Sequence, residues 1–126
     1  MIEVTPNAGP QSAGAIGAQQ VRRYTLDLGT LLAEDFGGDT ISDIDVTATD
    51  AELVIGDGAT APPVTGATLS GVPPAPSSSG AVITWYVWPD STAVVGAAYG
   101  VTVTVATATN TERMVFPLTL DISRGL

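Results

Sequence analysis

No cysteine, histidine or lysine occurs anywhere in the 126 residues, and all four cations are arginine. Each absence removes a class of chemistry. Without cysteine there is no disulfide framework, thiolate nucleophile, iron–sulfur cluster or Cys-based zinc site. Without histidine the commonest general base and the commonest transition-metal ligand are missing. Without lysine there is no Schiff base, and a Walker-type phosphate loop cannot be completed. The expectation is a protein that is not an enzyme, with no catalytic residues, no cofactor and no metal. Charge is scarce too: 13% of residues are charged, against about 25% in ordinary soluble domains. Hydrophobic residues make up 44% and mean hydropathy is +0.31. Either the apolar content is small side chains spread over a β surface, or part of the surface is buried against other chains.

The charge that is present has one dominant sign. Four cations against 13 anions leave −9, which repels phosphates and argues against nucleic acid as a partner. No apolar run reaches the ~18 residues of a membrane span, so no membrane partner is expected. The opening Met1-Ile2-Glu3-Val4 lacks a basic, then apolar, secretory leader, so synthesis in the cytoplasm is the expectation. The length suits one domain.

Two segments divide the chain. Residues 1–20, punctuated by Pro6, Gly9, Pro10, Gly14 and Gly17, read as an extended N-terminal arm lying on its own domain or on a neighbour. From residue 21 to 126 the apolar pattern has the period of two that marks half-buried strands. Tyr24, Leu26 and Leu28 alternate with polar residues, and residues 30–35 suit one helical turn before Gly37-Gly38. Ile44, Val46 and Ala48 alternate with Asp43, Asp45 and Thr47; Leu53-Val54-Ile55 ends at a Gly-Asp-Gly turn. Five prolines between positions 62 and 76 exclude a helix there. They leave a brief edge strand over residues 64–69 and a solvated loop over 73–80. Ile83, Trp85 and Val87 form one face of the next strand, with Tyr86 and Trp88 on the other. Val101, Val103 and Val105 mark another strand, with a hairpin tip at residues 109–111. Met114, Phe116, Leu118, Leu120 and Ile122 run in phase on the last one, which Pro117 assigns to a sheet edge or a bulge. Short strands at regular spacing predict an all-β, immunoglobulin-like antiparallel β-sandwich, residues 21–126, carrying the arm.

Few residues offer chemistry. Asp35, Asp39, Asp43 and Asp45 are hard ligands suited to calcium, but their spacing fits no EF-hand, and solvated face charges and turn caps are the simpler role. Trp85 and Trp88 point opposite ways from one strand, so one of them lies outside the core as a protein-contact anchor, a sugar platform or a side chain covered by a loop. Arg22-Arg23 is the only basic pair, and Arg113 and Arg124 stand alone; each suits interface carboxylates. A sheet edge undefended by lysine invites association. The residues assigned to protein contact are therefore Ile2, Val4 and Ile16 of the arm with Arg22, Arg23, Trp88, Arg113 and Arg124.

Residues 24–122 resemble a family of small phage virion proteins with an immunoglobulin-like sandwich, which act as fibre–tail adaptors or head–tail connectors. Tyr24-Thr25-Leu26-Asp27, Leu32 and Gly38-Asp39-Thr40-Ile41-Ser42 are similar to the family's opening pattern. Ile83-Thr84-Trp85 and Gly96-Ala97-Ala98-Tyr99-Gly100-Val101-Thr102-Val103 are similar to its later strands. Pro89-Asp90-Ser91 stands where the family has turn glycines, and the arm and the 71–80 loop are longer. The resemblance implies a non-enzymatic structural protein of a bacteriophage virion, oligomeric in the assembly. It implies no cofactor and, as partners, other virion proteins of tail or neck, or of the capsid, together with copies of itself. Capsid decoration at the head and a free-standing carbohydrate- or adhesin-type module are the alternatives.

Overall fold

The computed structural model describes residues 2–4, 6, 11–17, 19–63, 66 and 69–123. Two sheets pack face to face, and the protein is an all-β sandwich. One sheet holds β1 (Ile2–Val4), β3 (Arg22–Asp27), β7 (Val82–Pro89) and β5 (Leu53–Ile55) in that order, with β6 (Ser77–Ser79) sharing the far side of β7. The other runs β2 (Gln11–Gly17), β9 (Arg113–Ser123), β8 (Ala98–Thr107), β4 (Ile41–Ala48). One helix, α1 (Gly29–Asp35), follows β3 where the short helical turn was expected, and it buries Leu32.

The core follows the period of two. Tyr99, Val101, Val103 and Val105 of β8 and Met114, Phe116, Leu118, Leu120 and Ile122 of β9 point inward. They meet Tyr24 and Leu26 of β3 and Ile83, Trp85 and Val87 of β7. Tyr24 and Trp85 are register partners whose rings stack 5.9 Å apart at 14°, the cross-strand aromatic pairing that favours antiparallel sheets.

Two expectations are corrected, and the described part of the arm takes the first of its two expected places, on its own domain. The described part of the arm is two edge strands: β1 runs parallel to β3 and β2 parallel to β9. The alternation that would have revealed β2 is broken by a register shift between Ser12 and Ala15. Gly14 occupies φ +87°, which glycine reaches without strain, and lets Ala13 and Ile16, three apart, both enter the core. The last strand, β9, is interior. Its β2 pairing begins at Leu118, so Pro117 sits one residue outside the described ladder on that side, where its missing N–H is tolerated. The proline-rich stretch is no plain solvated loop either: Pro73 is buried and residues 77–79 pair with β7. Of the strand expected over 64–69, Val64, Thr65, Ala67 and Thr68 lie outside the described residues, and Gly66 and Leu69 are not in a strand.

Candidate functional site

The ionisable side chains with displaced pKa values are bonded to their own chain. Asp39 is held between the loop after α1 and the β8–β9 hairpin. Its Oδ1 accepts from the Thr40 N–H (2.8 Å) and the Thr109 N–H (2.9 Å), and its Oδ2 from the Asn110 N–H (2.7 Å). Asn110 Nδ2 donates in turn to the Phe36 carbonyl at 2.9 Å. These donors, the Asn110 N–H foremost, hold the carboxyl well below the usual carboxylate range. Asp57 is lowered by the N–H of Thr60 and then of Ala59. Asp90 is lowered by the Thr92 hydroxyl and N–H. These are turn caps.

Tyr99 makes a second node. Its hydroxyl donates to the Glu52 carboxylate and accepts from the Val94 N–H at 3.1 Å, joining the β7–β8 corner to the turn before β5. The bond to Glu52 raises the phenol pKa. Tyr24 differs: its hydroxyl is buried with no hydrogen-bond partner among the described residues, and burial raises its pKa, opposed by the Arg22 charge.

Asp43 and Asp45 stand exposed on β4, and Asp43 Oδ1 accepts from the Ile44 N–H at 2.9 Å. Among the described residues no group of three or more carboxylates lies close enough to hold a metal ion, and both oxygens of Asp39 are occupied by amides. No helix among the described residues is long and apolar enough to cross a membrane.

The residues assigned to contact are scattered. Val4 (4% exposed), Ile16 (0%) and Trp88 (1%) are buried within this chain, so their apolar surface is not available to a partner. Trp85 and Trp88 do occupy opposite faces, but Trp88 is covered. It lies outside the main core cluster, on the same outer face as Tyr86. Pro73 and Pro74 lie against that face: a Cβ on Gly56 would come within 2.9 Å of the Pro74 carbonyl, 3.1 Å of Pro73 Cβ and 3.2 Å of Tyr86 Cβ. Sequence spacing found the outward tryptophan, whereas the loop over its face is a tertiary feature. Arg22 is half-buried and donates to Gln20 Oε1 at 3.2 Å. Arg23 is exposed and is the register partner of Tyr86; Arg113 is exposed at the start of β9. The Ile2 side chain and Arg124 lie outside the described residues.

Two open grooves accompany these residues. One, of about 300 Å³, runs between residues 69–74 and Tyr86, with exposed Leu69 and Val72 on its wall. The other, of about 380 Å³, is floored by Leu31, Phe36, Met114 and Phe116 and flanked by Asp35 and Arg113. Neither sets a titratable pair against a nucleophile. No family model matches the chain, and no curated protein matches it in sequence at the level that marks a relative.

Proposed function

We propose that the protein is a non-enzymatic structural component of a bacteriophage virion, an adaptor that binds neighbouring virion proteins at the tail or neck. One observation carries the non-enzymatic part. Asp39, Asp57, Asp90 and Tyr99, described groups with displaced pKa values, are each satisfied by the chain's own turns and corners, and where Asp39 borders an open groove beside Leu32 and Ile41 both its oxygens are taken by backbone amides. The resemblance across residues 24–122 carries the virion part. Its residues are framework: Tyr24 and Trp85 stack, Leu32 anchors α1 and Tyr99 ties the β7–β8 corner.

We read the sandwich as immunoglobulin-like. The strand orders β1-β3-β7-β5 and β9-β8-β4 follow that arrangement, and a tyrosine near the start of β8 bonds back to the backbone five residues upstream. A small sandwich with few charges and an eight-residue edge strand, β4, suits recruitment by larger assemblies. Antibody raised against the chain, applied to purified particles encoded with it, should label the tail or neck in electron micrographs. Label spread over the head would replace the adaptor with capsid decoration, and unlabelled particles would overturn the virion reading.

A second reading has an observation of its own. The groove at Tyr86 has an aromatic floor with the exposed guanidinium of Arg23 one strand away, the pairing a free-standing carbohydrate-binding module uses. Glycan-array binding lost in Tyr86→Ala would favour it over the adaptor.

A further inference from the structure

The two outer faces of the sandwich are unlike. Pro73 and Pro74 pack by Gly56 and Tyr86 on the outer face of the β3–β7 sheet, whereas the outer face of β4, β8 and β9 presents exposed and half-exposed side chains. Register places Thr47, Thr102 and Pro117 in one row across the three strands. Gly100 and Thr104 flank that row on β8, Val115 and Thr119 on β9. Two residues further out on β9, at opposite ends of the same face, stand Arg113 and Asp121, both exposed. Among the described residues neither side chain has a hydrogen-bond or ion-pair partner.

We propose that this face is a self-association surface, on which a second copy of the chain docks about a two-fold axis crossing the strands at the Thr47–Thr102–Pro117 row. Such an axis exchanges positions equally distant from the row, so an isologous contact follows directly from the sequence. Arg113 meets Asp121 of the second copy, and Asp121 meets its Arg113, giving two reciprocal ion pairs from residues that have no partner among the described residues of one chain. Val115 meets Thr119 across sheets stacked at their ~10 Å spacing, while the space over Gly100 is filled by Thr49 of the same chain, whose Cγ2 lies 3.0 Å from where a Cβ would stand. Asp45 and Thr49 stand two residues either side of Thr47, so Asp45 meets the Thr49 hydroxyl of the second copy at the margin of the contact.

Size sets the strength. Three strands about 4.8 Å apart and ten residues long cover on the order of 480 Å², below the ~800 Å² per partner of a standard stable complex. The dimer is therefore weak in dilute solution and forms where copies are concentrated. The surface does not rest on the virion reading: a chain found in particles but monomeric alone would remove the surface and leave that reading standing.

Sedimentation equilibrium from micromolar to millimolar protein tests it. The wild-type average mass should rise from 12.7 kDa towards twice that value. Arg113→Asp and Asp121→Arg, each setting like charges face to face, should each weaken association about tenfold. The double variant should restore it, which loss of a merely structural residue would not allow. Thr102→Arg, which sets a cation against its own copy on the axis, should give a monomer throughout with an unchanged melting midpoint. A wild-type monomer at millimolar concentration, a dimer indifferent to Thr102→Arg, or a double variant weaker than both singles would each overturn the proposal.

Discussion

Tyr24 and Asp39 show opposite ways of burying a polar atom. The Tyr24 hydroxyl is buried and has no partner among the described residues, a situation costing about 1–3 kcal/mol. Tyr24→Phe keeps the ring that stacks on Trp85 and removes the unsatisfied oxygen, so thermal melting should show an unchanged or raised midpoint, by up to about 1 kcal/mol. Asp39 is saturated by three amides, and its lowered pKa makes it a stability determinant that depends on acid. A depressed folded-state pKa means the unfolded chain binds the proton more readily. The contribution is therefore fully present above the unfolded value near ~4 and is lost as pH falls through the folded one. Melting midpoints measured against pH should be level above about pH 5 and decline below about pH 4. Asp39→Asn should lower the neutral-pH midpoint and flatten that acid limb. A variant melting like wild type at every pH would show that the latch between Phe36 and the hairpin is dispensable.

Among the elements, the edge strands and the folded-back loop differ most from what local pattern suggests. Gly56 admits the loop: a Cβ there would press on the Pro74 carbonyl, which is backbone and cannot rotate aside. Gly56→Ala should lift residues 69–74 from the outer face. Chymotryptic cleavage at exposed Leu69 should then be faster than in wild type, at little cost to the core. β9 teaches a related lesson. Its inward run from Met114 to Ile122 was legible as a strand, but Pro117 suggested an edge. One proline does not exclude an interior position when the neighbouring strand starts one residue later.

For the molecule as a whole, the placement of the arm on its own domain decides most. Val4, Ala13 and Ile16 are core residues, and β1 and β2 cover the sides of β3 and β9. Deleting residues 1–20 should therefore lower the melting midpoint steeply and expose apolar surface to a reporter dye, leaving no intact binding domain. A folded, stable truncation would instead return the arm to the role of an accessory. Phe116→Ala, at 1% exposure in the centre of the sandwich, should cost about 3–5 kcal/mol. That is a large share of the ~5–15 kcal/mol holding a domain together, and chemical denaturation would read it directly.

Sequence alone determined the fold class, α1, the strands of the last third and the opposite facing of Trp85 and Trp88. Each follows from local spacing, because side chains two apart in a strand share a face. It also determined the missing chemistry, since absent residue types need no coordinates. Tertiary structure decided where the irregular segments went. A glycine bulge hid the spacing of Ala13 and Ile16, so only the core that receives them shows β2 to be part of the sandwich. The cover over the Trp88 face, the three amides on Asp39 and the common row of Thr47, Thr102 and Pro117 join residues far apart in the chain. Such contacts are set by register and packing between strands, which no local periodicity encodes.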